Sequence, residues 1–150
     1  MVTVRSVSVG EIEGPLVLLR ASLYGEATLP ESFLARLRKE AEAGRTEVIE
    51  ANDEGTTVGA AVIHYRPSIS AGALFASVED LYVIPGARRR GTGRALLAEV
   101  EKRCVGQGIS YVEVQATEEA EAFYRACGFE PEEVRVLSRT VPLLQNSSTS

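Results

Sequence analysis

The sequence predicts an α/β domain built on one mixed, mostly antiparallel sheet flanked by helices. Three observations carry that expectation. The 150 residues, 45% hydrophobic and 25% charged, have the size and composition of one globular domain. Strand-like segments at residues 46–51, 57–65 and 74–84 fill the middle of the chain, where turn residues separate them. On either side the apolar spacing changes to that of helices, so hairpins serve the middle of the sheet and helical crossovers its second half.

Residues 2–9, with Val2, Val4, Val7 and Val9, read as a first strand with one irregularity at Ser6. Between residues 13 and 43, Leu16, Leu19 and Leu23, then Phe33, Leu34 and Leu37, recur at helical spacing; Gly25 and Pro30 divide the stretch into two helices. Residues 46–51 and 57–65 are strands joined by Asn52-Asp53-Glu54-Gly55, whose residue types supply hairpin turn chemistry. Residues 67–72 form a polar connection, and a long strand over 74–84 ends at Pro85-Gly86. A helix over 93–106 presents Leu96, Leu97, Val100 and Cys104 on one stripe. A short strand follows at 109–115, then a helix at 118–126 stopped by Gly128, and a last strand at 134–141. The domain is expected over residues 1–142 and a disordered tail over 143–150.

The longest apolar runs, such as residues 16–19 and 58–63, fall far short of the roughly 20 residues that cross a bilayer. The first residues lack the basic and apolar regions of a secretory signal, so a cytoplasmic protein without a membrane partner is expected. A net charge of −5 opposes nucleic-acid binding, except that Arg88, Arg89, Arg90 and Arg94 gather four cations in seven residues. Cys104 and Cys127 are expected as free thiols with packing roles. His64 has no second metal-ligating residue at suitable spacing, and it reads as a strand residue.

The informative stretch is Val83-Ile84-Pro85-Gly86-Ala87-Arg88-Arg89-Arg90-Gly91-Thr92-Gly93-Arg94-Ala95-Leu96-Leu97, a strand turning through glycines into a helix. Unpaired N–H groups and the helix dipole favour an anion there, the glycines permit close approach, and the arginines add charge-assisted contacts. A P-loop would require Gly-Lys-Ser/Thr, but Gly93 is followed by Arg94-Ala95. A dinucleotide fingerprint requires a third small residue where Leu96 stands. What remains is Arg88-x-x-Gly91-x-Gly93, which resembles the pyrophosphate-binding motif of the GCN5-related N-acetyltransferase (GNAT) family. Val78-Glu79-Asp80-Leu81-Tyr82-Val83-Ile84-Pro85 resembles the family's fourth strand, where a bulge splays the sheet. Ala120-Glu121-Ala122-Phe123-Tyr124-Arg125-Ala126-Cys127-Gly128-Phe129 resembles its Ala-x-x-Phe-Tyr-x-x-x-Gly-Phe signature. At the position where the family usually places Asn, seven residues before the tyrosine, this chain has Thr117.

The resemblance implies a GNAT-like fold and acyl-CoA-dependent N-acylation, with acetyl-CoA as co-substrate and no metal. Transfer would go to a primary amine, on a small molecule or a peptide, by direct attack without a covalent enzyme intermediate. It allows a homodimer. The binding residues it implies are Arg88, Arg89, Arg90, Gly91, Thr92, Gly93 and Arg94 for the diphosphate, with backbone groups of Leu81, Tyr82 and Val83 for the pantetheine arm and the developing oxyanion. Tyr124 matches the family's general acid. A base must take a proton from an ammonium of pKa about 10.4, and Glu79, Asp80 and Glu113 are the carboxylates near the expected cleft, Glu79 first among them. Because successive strand residues face opposite ways, only one of Glu79 and Asp80 should reach the substrate, and a bulge would change which. A catalytically inactive acyl-CoA-binding sensor or scaffold is the alternative, and the presence of Tyr124 favours the enzyme.

Overall fold

The computed structural model describes residues 1–26 and 28–143. Among them the chain forms five strands and four α-helices: β1 (Val2–Ser6), α1 (Glu13–Tyr24), α2 (Glu31–Glu42), β2 (Thr46–Asp53), β3 (Thr56–Ser68), β4 (Ala73–Val83), α3 (Thr92–Gly106), β5 (Val112–Val114) and α4 (Glu118–Ala126). The strands lie in sequence order in one sheet, antiparallel from β1 to β4 and parallel between β4 and β5. The mixed α/β sheet is thus as expected. No helix among the described residues is long and apolar enough to cross a membrane.

Strand alternation divides the core in two. On one face Val48, Ala60 and Val62 meet Ile12, Leu16 and Leu19 at α1 and Leu34 and Leu37 of α2. On the other, Ile49, Ala61, Ile63 and Val78 meet Leu96, Val100 and Cys104 of α3, the stripe that the helical spacing predicted. The β2–β3 turn forms where expected: the Asn52 side chain accepts the Gly55 N–H at 2.8 Å, and Glu54 and Gly55 take left-handed φ values of 49° and 93°. Helix α1 stops at Gly25, whose φ of 72° lets its N–H return to the Ala21 carbonyl at 3.1 Å. Both cysteines are free thiols, and burial pushes that of Cys104 up.

Several boundaries differ from the sequence reading. The first strand ends at Ser6, because residues Val9–Glu11 coil into a 3-10 turn that leads into α1. Strand β3 continues to Ser68, into the start of the polar connection, since β4 supplies a partner as far as Ala73. Strand β5 spans only Val112–Val114. The strand expected at 134–141 is not formed: these residues are exposed and belong to no ladder. Apolar alternation makes a segment fit to be a strand, but a neighbouring edge must supply its hydrogen bonds. The tail read at 143–150 falls, from 144 onward, outside the described residues.

Candidate functional site

The site originates in an irregularity of β4. Val62 pairs with Asp80 and Ile63 with Val78, so Glu79 is an extra residue, a β-bulge. On the other side, β5 accompanies β4 only over residues 76–78 before the Gln115 N–H closes on the Val78 carbonyl at 3.0 Å. Beyond that point β4 and β5 part. The gap is a cavity of about 740 Å³ bounded by the end of α1, residues 79–83 of β4, the start of α3, and α4. The Ile84 N–H donates to the Val58 carbonyl of β3 at 2.9 Å. By alternation the backbone groups of Tyr82 also face β3, whereas those of Leu81 and Val83 face the gap, where no strand accompanies them.

The loop between β4 and α3 forms the cationic end. Arg88 is fixed twice, donating from Nε to the Val83 carbonyl at 2.9 Å and lying 5.2 Å over the Tyr82 ring. Arg89 and Gly91 adopt left-handed φ values of 63° and 80°, and Gly91 is the N-cap of α3. The first intrahelical bond runs from the Ala95 N–H to the Gly91 carbonyl at 2.9 Å, which leaves the preceding N–H groups of the helix without helical acceptors. Arg88, Arg89, Gly91, Thr92, Gly93 and Arg94 all line the cavity; Arg90 does not and is exposed. The Thr92 hydroxyl is turned inward, donating to the Ala87 carbonyl at 3.1 Å, so only its backbone is offered to a ligand. Arg94 donates to the Ala126 carbonyl at 3.3 Å and ties the start of α3 to the end of α4.

The two glycines differ in what they do. Gly91 is needed for its positive φ, and a Cβ there would meet nothing within 4 Å. A Cβ on Gly93 would lie 2.9 Å from Cζ of Phe123, so among the described residues its missing side chain makes room for α4. Gly93→Ala is expected to cost about 1 kcal/mol, because roughly 1–3 kcal/mol of overpacking exceeds a helix-propensity gain of about 1 kcal/mol. Urea unfolding of Gly93→Ala in wild-type and Phe123→Leu backgrounds checks this. The substitution should cease to be destabilising once the ring is shortened.

The opposite end of the cavity is acidic, and here the structure corrects the sequence reading twice. The bulge brings both Glu79 and Asp80 to the cavity rather than one of them. Glu79 is paired with Arg66 of β3 at 2.8 Å, while Asp80 accepts the Tyr24 hydroxyl from the end of α1. That bond, with burial and the two carboxylate charges, pushes the Tyr24 hydroxyl up to about 12. Glu113 is exposed on β5 opposite Ser77 and is not part of the lining, because β5 diverges after three residues.

Between these ends stands Tyr124. Thr117 caps α4, accepting the Ala120 N–H at 3.3 Å, and three glutamates in the first turn complement the helix dipole. This helix presents Tyr124 inward, 6% exposed, with its ring packed on Phe123 (5.2 Å between centroids) and Phe129 (5.7 Å). Burial and the Asp80 and Cys127 groups raise its hydroxyl above the ordinary tyrosine range. Among the described residues the hydroxyl has no hydrogen-bond partner, and it borders the cavity. Sequence reasoning missed Leu23, Tyr24 and Gln115 in the lining and Arg66 behind it. Nothing local marks them; Tyr24 comes from 56 residues away, before an unremarkable helix stop.

Comparison with known proteins agrees with this architecture. A family model described as "Acetyltransferase (GNAT) domain" matches residues 18–145. Serotonin N-acetyltransferase 2, chloroplastic, of Oryza sativa subsp. japonica is 25% identical over 131 residues, which cover 85% of this chain and 64% of that protein. Glucosamine 6-phosphate N-acetyltransferase 1 of the same plant is 28% identical over 110 residues, covering 71% of this chain and 67% of that protein. The chain thus spans about two thirds of the length of these curated relatives. In fold it resembles the crystal structure of an aminoglycoside acetyltransferase from an uncultured soil metagenomic sample, with a TM-score of 0.82, 21% identity, and coverage of 94% of this chain and 97% of that one.

Proposed function

Because the chain belongs to the GNAT acetyltransferase family, we propose that it transfers acetyl from acetyl-CoA to a primary amine in a ternary complex. The single observation that carries this reading is the β4 bulge and splay: it opens the backbone of Leu81 and Val83, the start of α3 and Tyr124 onto one cavity. Those residues fit acyl-CoA. Unpartnered N–H groups and arginines stand at one end for a diphosphate, an open strand edge follows for an amide-containing arm, and carboxylates stand at the other end for an ammonium. When bound, acetyl-CoA supplies a thioester, an acetyl group activated for attack by nitrogen.

The chain's own residues supply the remainder. Asp80 serves as the base in this reading, because it lines the cavity with only the neutral Tyr24 hydroxyl as partner, whereas Glu79 is paired with the Arg66 cation. Its carboxylate takes a proton from the incoming ammonium, directly or through water, freeing the nitrogen lone pair. The backbone N–H of Leu81 or Val83, facing the gap, donates to the carbonyl oxygen as negative charge develops there. The Tyr124 hydroxyl keeps its proton at neutral pH and delivers it to the departing sulfur, and the second proton that the nitrogen loses as the amide forms restores the phenol. Small-molecule amines are the acceptor class that relatives named for glucosamine 6-phosphate and aminoglycosides suggest.

Thiol release from acetyl-CoA across a panel of aminosugars, aminoglycosides, arylalkylamines and peptides tests this. Turnover with at least one amine is expected. Tight acetyl-CoA binding by calorimetry with no turnover across the panel would instead support an inactive binding module. The cationic end gives a second check: Arg89→Ala should raise the KM for acetyl-CoA about tenfold, the worth of one charge-assisted contact, with kcat little changed. Arg90→Ala, outside the lining, should leave both within about twofold.

A further inference from the structure

Beyond the acidic end of the main cavity, beside α2, lies a second concavity of about 390 Å³. Its walls carry Arg36 and Glu40 of α2, Arg45 and Thr46 where β2 begins, and His64 and Arg66 of β3. One ion pair connects the two spaces: Arg66, which lines the second, reaches Glu79, which lines the first, at 2.8 Å. His64 sits at the same boundary, since its ring feels the carboxylates of Glu79 and Asp80 on one side and of Glu40 on the other.

The two sides of this boundary carry opposite charge. Glu79 and Asp80 face the main cavity. In the second space Arg45 is neutralised by a two-point pairing with Glu40, at 2.6 and 3.3 Å. Arg36 is exposed and forms no ion pair among the described residues. The bond to Glu79 uses one nitrogen of Arg66 and leaves its other N–H donors free. Burial pushes the His64 imidazole below its ordinary range, so the ring, 3.2 Å from the Thr46 hydroxyl, is neutral at pH 7 and arginine supplies the positive charge. The Arg66 and Glu79 side chains are 51% and 31% exposed, so water reaches their pair, and parting such a pair costs little.

We propose, on the acetyl-transfer reading of the main cavity, that this second concavity holds an anionic group of the acceptor, so that the preferred amines carry a carboxylate or a phosphate. Such an acceptor inserts itself into the Arg66–Glu79 pair. Its ammonium takes the place of Arg66 beside Glu79 and Asp80, while its anion takes the place of Glu79 on Arg66 and gains Arg36 as well. One ion pair is exchanged for two, and the planar guanidinium suits the paired oxygens of either anion. An amine without the anion must leave Glu79 on Arg66 or strip Arg66 of its partner, which selects against it.

Calorimetry of matched amines on the CoA-bound protein tests this, with hexylamine against ε-aminocaproate for the carboxylate and ethanolamine against phosphoethanolamine for the phosphate. In at least one pair the anionic member should bind about tenfold or more tightly, the worth of one charge-assisted contact. Arg36→Gln and Arg66→Gln should each cut that ratio by about threefold or more. Arg38→Gln removes the same charge from α2 at a residue that lines neither space and pairs instead with Glu13 and Glu31, so it should leave the ratio within about twofold. Equal affinities within both pairs overturn the proposal. So does a preference that Arg36→Gln and Arg66→Gln leave intact, or one that Arg38→Gln reduces as much, which marks long-range attraction instead of a site. These affinities need no turnover: acetyl-CoA binding without thiol release would count against the transferase reading, while the matched pairs still decide whether the anion is held.

Discussion

Replacing Tyr124 by Phe is expected to reduce kcat by roughly 10²–10⁴-fold, the usual contribution of a positioned general acid, while the affinity for acetyl-CoA changes little. The substitution suits the site. The ring is held by Phe123 and Phe129, and phenylalanine fills the same space, so stability should stay within about 0.5 kcal/mol of wild type. Only the hydroxyl is lost. Because burial first, and then the Asp80 charge, lift this hydroxyl above the ordinary value near 10, it is protonated throughout the neutral and mildly alkaline range. The wild-type enzyme should therefore show no loss of kcat from tyrosine ionisation up to about pH 9, since a raised pKa moves that limb to higher pH. Steady-state rates at saturating acetyl-CoA over this range check both statements. A Tyr124→Phe enzyme retaining half of wild-type kcat would remove Tyr124 from the proposed mechanism.

The largest effect on stability is expected at Leu96, where α3 meets the sheet. Its side chain is completely buried among Ile49, Ala61, Val83 and their neighbours. One methyl lies 3.3 Å from where a Cβ on Gly59 would stand, so the helix packs directly over the β3 backbone. Leu96→Ala removes those contacts and leaves a cavity that the rigid sheet cannot close, at a cost of about 3 kcal/mol. For a domain of this size that corresponds to a fall in Tm of about 10 °C. Val105, on the same helix but 71% exposed, provides the control: Val105→Ala should stay within about 0.5 kcal/mol. Similar losses at both positions in calorimetric melts would contradict the assigned buried stripe. Since Leu96 also sets the position of the first turn of α3, its removal should raise the KM for acetyl-CoA.

Much of the architecture was legible in the residues because it depends on short-range regularities. The Leu96–Val100–Cys104 spacing, the Asn52–Gly55 turn and the Glu118–Ala126 helix are each dictated within about a dozen residues, and each forms as expected. The glycine turn into α3 is likewise local, and its resemblance to a known motif pointed to the family that the comparison then showed. The strand expected at 134–141 does not form, since an apolar segment still needs a neighbouring edge to supply its hydrogen bonds.

The site itself divides along the same line. Sequence alone determined the residue types and their order: a phosphate turn rich in arginine, a carboxylate pair on the preceding strand, and a tyrosine on a helix beyond. Only the tertiary structure decided which of them share a cavity. An extra residue at Glu79 turns both carboxylates the same way, the early end of β5 removes Glu113, and α1 brings Tyr24 onto Asp80. It also assigned Gly93 to Phe123 and turned Arg90 outward. The physical reason is range. Backbone propensity and capping act between near neighbours, whereas a bulge, a splayed edge and a contact across 56 residues depend on how separate elements pack, and that information is spread over the whole chain.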